Sequence, residues 1–556
     1  MSEMNRRDFI RTGVASGAVI SVPGCNPYEE PRAPTGTTRP FQIPDFPLEE
    51  MTIADLSSAM GRGDYTCREI MELYLERIEI LDRQGPQLFS VLEVNPSALS
   101  TADGIDRDLR NGTSKGPLHG IPVLLKDNID TADQMSTTAG STALRGSTPP
   151  RDAFIADKLR AAGAVLLGKA NMSEWAGFKS FERGTSGWSG RGWDGGRGGL
   201  CKNPYALDRT PGGSSSGSGA ACSANLTAFA IGTETDGSVV GPSSRNCLVG
   251  IKPTIGLLSR GGVIPIAHSQ DSAGPMARTV RDAAIVLGTM TGVDERDSLT
   301  PLSLGNSKTD YTEFLDPNGL EGARIGVARA YMGFDDRVDR LLEDALDLIT
   351  GQGATVIDPI ELPDELRFGN EYEMEVLYHE FKADLNAYLA SLGPDAPIKS
   401  LQELIEYNER NVDLELSLFG QELLIAAQER GPLTDVRYLN ALSTSHRLSR
   451  DEGIDRVMGE QRLDAIVAPT SGIPEPADYT GASGGGGGGC STPSAMAGYP
   501  NMSVPMGFLF GLPVGISLFG RAWTEGTLLR LAYAYEQASN HRQPPRFMPT
   551  IQATVP

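Results

Sequence analysis

Two serine-rich turns and one lysine carry the residue types and spacing best suited to chemistry in this chain. The first turn, TPGGSSSGSGAACSAN at 210–225, holds four glycines, five serines and no charge. The second, GTETDGS, runs from Gly232 to Ser238. The lysine, Lys126, ends the apolar run IPVLL. A lysine at the carboxyl end of a buried strand lies where open α/β sheets bind ligands. Burial there disfavours its charged form. A neutral lysine is a base, and a serine hydroxyl becomes a nucleophile once a base takes its proton. The ordinary alternative is a lysine that snorkels or pairs with Asp127 beside it.

Other readings of the first turn fail on single residues. A phosphate-binding P-loop needs a lysine where Ser218 stands. A dinucleotide-binding turn needs a third glycine where Cys222 stands. Gly213 to Gly217 does satisfy G-x-S-x-G, with Ser215 as nucleophile. That elbow must follow a buried strand, whereas NPYALDRTPGG precedes it here. A flexible linker is disfavoured because patterned apolar segments close in on both sides.

Around these residues, apolar runs of strand length alternate with helical patterns. GIPVLLKDN, AVLLG, NLTAFAIGT, RIGVA and LDAIVAP read as strands. Thr66 and Glu69 form a capping box ahead of a helix whose Ile70, Leu73, Tyr74, Ile78 and Leu81 share a face. RDAFIADKLRAAG reads as a helix closed by Gly163. The alternation predicts an α/β fold, with a mixed central β-sheet covered by helices on both sides. Residues 335–460 are mostly helical in pattern and read as an insertion, and SGGGGGG at 483–489 reads as a surface loop.

Composition narrows the function. The chain has 556 residues, 39% hydrophobic and 22% charged, with a net charge of −22. That acidity argues against nucleic acid, whose phosphates need clustered Lys and Arg. The six cysteines make no C-x-x-C, and His379-Glu380 lacks the second histidine of a zinc-protease helix. No metal and no cofactor are expected, and a disulfide through Cys201 or Cys490 is open if the protein is exported. At the N-terminus, Arg6-Arg7 precedes about a dozen mostly apolar residues, which suits a twin-arginine export signal over 1–25. Cys25 follows Val-Pro-Gly, loosely like a lipoprotein cleavage box, so membrane contact is expected only through a lipid there. Residues 26–45 read as a Pro- and Thr-rich tether, and 46–545 as the globular part. The expected address is periplasmic or lipid-anchored, with the cytoplasm as the alternative, and the expected state is a monomer or homodimer.

These stretches together resemble the amidase signature family. The resemblance rests on the glycine-serine turn, IGTETDGSVVGPSS, LLKDN and VGIKPTIGLLSRGGVIPIAHSQDSAGPMARTVRDA, and it covers about residues 50–545. Within the family, NMSEWAGF, GWSGRG, SLFGQELL, SAMAGYPNMSVPMG and LAYAYEQ resemble bacterial peptide amidases. The resemblance implies one large amidase domain and a Ser-cisSer-Lys triad. Lys126 is then the base, Ser214 the bridging serine after Gly212 and Gly213, and Ser238 the nucleophile. The backbone N–H groups of Thr235, Asp236, Gly237 and Ser238 would form an oxyanion hole. Asp236 departs from the glycine of many members and must point its carboxylate away from that hole. Asp271 is expected to organise hydrogen bonds, His268 to be structural, and Trp188 and Trp193 either to line a substrate mouth or to pack a loop. The implied activity is a serine amidohydrolase releasing ammonia from the C-terminal amide of peptides. The alternatives are hydrolysis of aryl, fatty-acid or xenobiotic amides, or service as the A-type component of an amidotransferase.

The base must be neutral to act. Lowering a lysine from about 10.4 to near 7 takes roughly 4 to 5 kcal/mol of selective destabilisation of the charged form.

Overall fold

Eleven strands form one mixed sheet in a computed structural model that describes residues 43–180, 186–193, 199–367, 369–477 and 488–552. The expected signal, Cys25, most of the tether, the tip of the loop near 183–200, the side chain of Trp193 and most of the glycine run lie outside the described residues. No described helix is long and apolar enough to cross a membrane.

In chain order the strands are β1 Val91–Val94, β2 Pro122–Lys126, β3 Val165–Ala170, β4 Phe229–Glu234, β5 Val249–Lys252 and β6 Ser272–Ala277. They continue as β7 Arg324–Val327, β8 Thr355–Ile357, β9 Ala465–Pro469, β10 Asn501–Leu509 and β11 Leu512–Phe519. Their order across the sheet is β1-β3-β2-β4-β6-β5-β10-β11-β9-β7-β8. β2 runs parallel to both β3 and β4, with Leu124 opposite Ala230 and Lys126 opposite Ala170. Every residue of these three strands is buried. That two-sided burial is why they read as unbroken apolar runs.

The capping box ahead of Cys67–Ile78 is present in both directions, and Ile70, Met71, Tyr74 and Ile78 enter the main core. The expected helical stretch 335–460 is interrupted by β8, which pairs with β7. Helix Asp336–Gly351 buries Val338, Leu342 and Leu346 in that same core. The separate helical layer begins after β8. There Phe381, Leu385, Leu404 and Leu424 cluster with Trp175, Phe178 and Ile266 from loops, giving a second core.

Helix Val240–Arg245 follows the second turn directly and packs on β5, β10 and β11. It can approach because the sheet is small-sided there. A Cβ on Gly250 would lie 2.1 Å from Ser243 Oγ, and one on Gly515 of β11 would lie 3.0 Å from Ser244 Cβ.

Candidate active site

Lys126 reaches the site as the last residue of β2, with no exposed surface. Its Nζ is hydrogen-bonded to Ser214 Oγ at 2.8 Å and to the Thr233 carbonyl at 2.9 Å. It forms no ion pair with a described residue. Asp127 is otherwise engaged: Arg191 Nη1 donates to it at 2.6 Å, and Thr138 Oγ1 and the Gly140 N–H donate as well. Burial pushes the Lys126 amine down to about 7, against the opposing pull of the Asp271 and Glu234 carboxylates. The amine is thus half neutral near neutral pH, and a neutral amine has a lone pair to accept a proton.

The first turn is held by its own serines and by a loop from below. The Gly213–Ser214 peptide bond is cis, and Gly212 has φ 76°. A Cβ on Gly213 would lie 2.4 Å from Ser173 Oγ, so only glycine fits. The Ser173 N–H donates to the Ser214 carbonyl at 3.1 Å. Ser215 is fully buried; its Oγ donates to the Thr233 carbonyl and accepts from the Thr233 N–H. That pairing ties the turn to β4 and leaves Ser215 unavailable as a nucleophile. Helix Ser216–Ser223 follows, and Ser218 Oγ donates to the Ile231 carbonyl of the same strand.

The second turn lies directly beside the first. The Ser215 N–H donates to the Ser238 carbonyl at 3.2 Å. Ser238 is 9% exposed, the most open of the three residues 126, 214 and 238. Its hydroxyl makes no hydrogen bond to a described residue, so the link from Ser238 to Ser214 is open in this structure while that from Ser214 to Lys126 is closed. None of the N–H groups of Thr235, Asp236, Gly237 and Ser238 donates to a described residue. Gly237 has φ 78°, which the turn needs and other residues resist. Four successive donors without a partner among the described residues, set in a tight turn, make an anion-binding concavity.

Two acidic residues hold this turn in shape. Asp271 accepts from Thr235 Oγ1 at 2.5 Å and from the Ile266 and Ala267 N–H groups, and burial pushes it up to about 6. Glu234, which sequence reasoning did not single out, accepts from the Val239 and Val240 N–H groups at 2.7 and 2.9 Å. It closes the turn from within. Its only sequence signal is a glutamate at the end of an apolar strand, where a charge is costly unless used. The Asp236 carboxyl is directed away, towards Thr492, whose Oγ1 donates to Asp236 Oδ2 at 2.7 Å.

Around the rim, the loop carrying Trp188 is packed rather than open. Trp188 is 1% exposed and meets Phe419 edge-on at 4.9 Å. Beside it the buried Lys179 lies between Glu174, at 2.7 Å, and Glu415, at 3.1 Å. His268 Nδ1 is 2.8 Å from Asp384 Oδ2. The ligand atoms of His268, Glu380 and Asp384 fall within 4.8 Å of one another. Glu380, however, already accepts from the Ser269 N–H, Ser269 Oγ and Tyr438 OH, so the cluster is closed by protein donors. Cys201 and Cys490 are both buried and unpaired, so the disulfide left open by the sequence is not formed.

Known proteins resemble this chain over most of its length. The family model described as Amidase matches residues 69–529. A protein of Arabidopsis thaliana named as a probable amidase is 41% identical over 511 residues, 90% of this chain and 93% of that one. The crystal structure of the peptide amidase from Stenotrophomonas maltophilia is 46% identical and superposes with a TM-score of 0.84, covering 90% of this chain and 100% of that one. The A-type component of glutamyl-tRNA(Gln) amidotransferase from Halorhodospira halophila is 34% identical over 526 residues, 90% of this chain and 99% of that one. The chain belongs to the amidase signature family of serine hydrolases, which act on amide C–N bonds.

Proposed function

We propose that this protein removes ammonia from the C-terminal carboxamide of peptides, with Ser238 as nucleophile, Ser214 as proton relay and Lys126 as base. The observation that carries the chemistry is a buried lysine hydrogen-bonded to a serine and free of any ion pair among the described residues. Ser238 Oγ attacks the amide carbon while its proton passes to Ser214, whose own proton passes to Lys126. The oxygen of the tetrahedral intermediate takes its negative charge into the turn of N–H groups at 235–238. The proton returns from Lys126 through Ser214 to the nitrogen, and ammonia leaves. Water, activated by the same relay, then frees the acid from the acyl-enzyme. Catalytic hydrogen bonds are often open in free enzymes and close on substrate, which suits the unbonded hydroxyl of Ser238.

The peptide part of the reading is supported by the 46% identity to a peptide amidase over that protein's whole length. The amidotransferase reading is supported by relatives at 34% identity. Purified protein incubated with peptide amides, aryl amides, fatty amides and glutamine separates them. Ammonia release fastest from peptide amides is expected. Faster turnover of the aryl or fatty amides, or of glutamine, would replace the peptide assignment. Export through the Arg6-Arg7 stretch belongs to the same proposal. Fractionation of cells with and without an Arg6→Lys, Arg7→Lys substitution tests it.

A further inference from the structure

The Asp236 carboxyl sits in an unusual place for a charge. It belongs to the turn proposed to receive a developing negative oxygen, and its Oδ1 is sealed from solvent with no donor among the described residues. Its other oxygen, Oδ2, accepts from Thr492. Within hydrogen-bonding reach stands a second carboxyl, Glu373, fully buried in helix Glu371–Ser391. Glu373 Oε1 accepts from Gln270 Nε2 at 3.2 Å, and its Oε2 accepts from the Gly369 N–H at 3.1 Å. Gln270 Nε2 also lies 3.5 Å from the Thr235 carbonyl in the turn.

Two carboxylates facing each other away from water cannot both keep their charge, because neither has a proton to offer. One proton between them turns repulsion into a strong hydrogen bond. Glu373 is the member with less support for a charge. Burial and the Asp236 charge push its carboxyl well above the ordinary range, opposed by hydrogen bonds from Gln270 and Gly369. Burial raises Asp236 as well, but Ser491, Thr492 and the Lys252 ammonium support its charge.

We propose that Glu373 carries the shared proton and donates it to Asp236 Oδ1, and that this bond is a positioning device that keeps the 235–238 turn open to the developing oxyanion. The proposal rests on the amidase reading of that turn. It explains how an aspartate is tolerated there: its charge is drawn out of the turn towards the helical insertion. Other titratable groups face the pair. Lys252 of β5, Glu234 of β4, Cys490 and Tyr331 each interact electrostatically with Asp236, and burial brings the Lys252 amine down to about 8. When rising pH strips the proton from Glu373, two like charges meet, the turn is displaced and kcat falls.

The test compares Glu373→Gln with Glu373→Ala. Glutamine keeps a donor for Asp236 and cannot lose it with pH, although it gives up one of the two bonds Glu373 accepts. Wild-type ammonia release from a peptide amide, measured first, checks the amidase reading separately. Given that activity, E373A should lose at least about tenfold in kcat with KM little moved. E373Q should recover most of that loss and hold its rate as the pH is raised, where the wild type declines. Infrared difference spectra of wild type against E373Q at neutral pH, which need no substrate, should show the C=O stretch of a protonated carboxyl only in the wild type. Absence of that band, or an E373A variant with unaltered kcat and pH profile, overturns the proposal.

Discussion

The amine of Lys126 lies 2.8 Å from the hydroxyl of Ser214, while Asp127, its neighbour in sequence, is paired to Arg191 instead. A carboxylate given to Arg191 is a carboxylate withheld from Lys126. Burial is what brings the lysine near neutrality, and Asp127, engaged by Arg191, does not offset it with an ion pair.

Activity should rise with pH through the Lys126 transition. Below about 7 the amine is protonated and kcat/KM should fall about tenfold per pH unit. A pH–rate profile from 5 to 9 checks this, and a flat profile would remove lysine as the base. Lys126→Met should lose about 10²- to 10⁴-fold in rate.

The same residue predicts a stability effect of definite sign. In the unfolded chain a lysine keeps its proton up to about 10.4, whereas in the fold Lys126 keeps it only to about 7. Between those values the unfolded state binds more protons, so this group makes stability rise with pH. Denaturation midpoints of wild type minus K126M should show that rise from pH 7 to 10. At neutral pH the variant should be at least as stable as the parent, since it no longer buries an ionisable group.

Ser238→Ala should abolish hydrolysis and labelling by a fluorophosphonate probe while leaving circular dichroism unchanged. Ser215→Ala should instead retain labelling, because its hydroxyl is already paired with both backbone groups of Thr233. Labelling that followed residue 215 rather than 238 would reverse the assignment.

Glu234→Ala should cost about 1–3 kcal/mol of unfolding free energy and lower kcat more than it alters KM. The Val239 and Val240 N–H groups lose their acceptor at the end of the turn. Chemical denaturation and steady-state kinetics on one preparation measure both effects.

Lys179→Met should be more damaging to the fold, by about 3–5 kcal/mol, because it leaves Glu174 and Glu415 buried together without their cation. A lowered thermal midpoint is the expected readout.

Sequence was most informative where one element alone decides the outcome. IPVLL reads as a buried strand from its own residues, and it delivered Lys126 to its end. β5, β6, β10 and β11 escaped notice because Gly250, Gly274 with Pro275, Pro505 with Gly507, and Pro513 with Gly515 break the strand pattern. Gly250 among them serves a neighbour, the helix behind Ser238, that a one-dimensional reading cannot see. Glu234 was missed for a related reason, since a glutamate before a turn looks like surface until its two N–H partners are placed. That Asp127 pairs with Arg191 and not with its neighbour Lys126 likewise depends on a segment far along the chain. The structural role expected of His268 takes definite form only once helix Glu371–Ser391 is docked, because its bonds run to Asp384 of that helix.

The helix Val240–Arg245, seated on β5, β10 and β11, carries a consequence for how the protein matures. Its support is assembled from residues as distant as Val249 and Phe519. A growing polypeptide therefore cannot complete the bed beneath Ser238 until nearly all of it has been made. The turn that bears Ser238 is thus supported in full only once the last strand, β11, is in place.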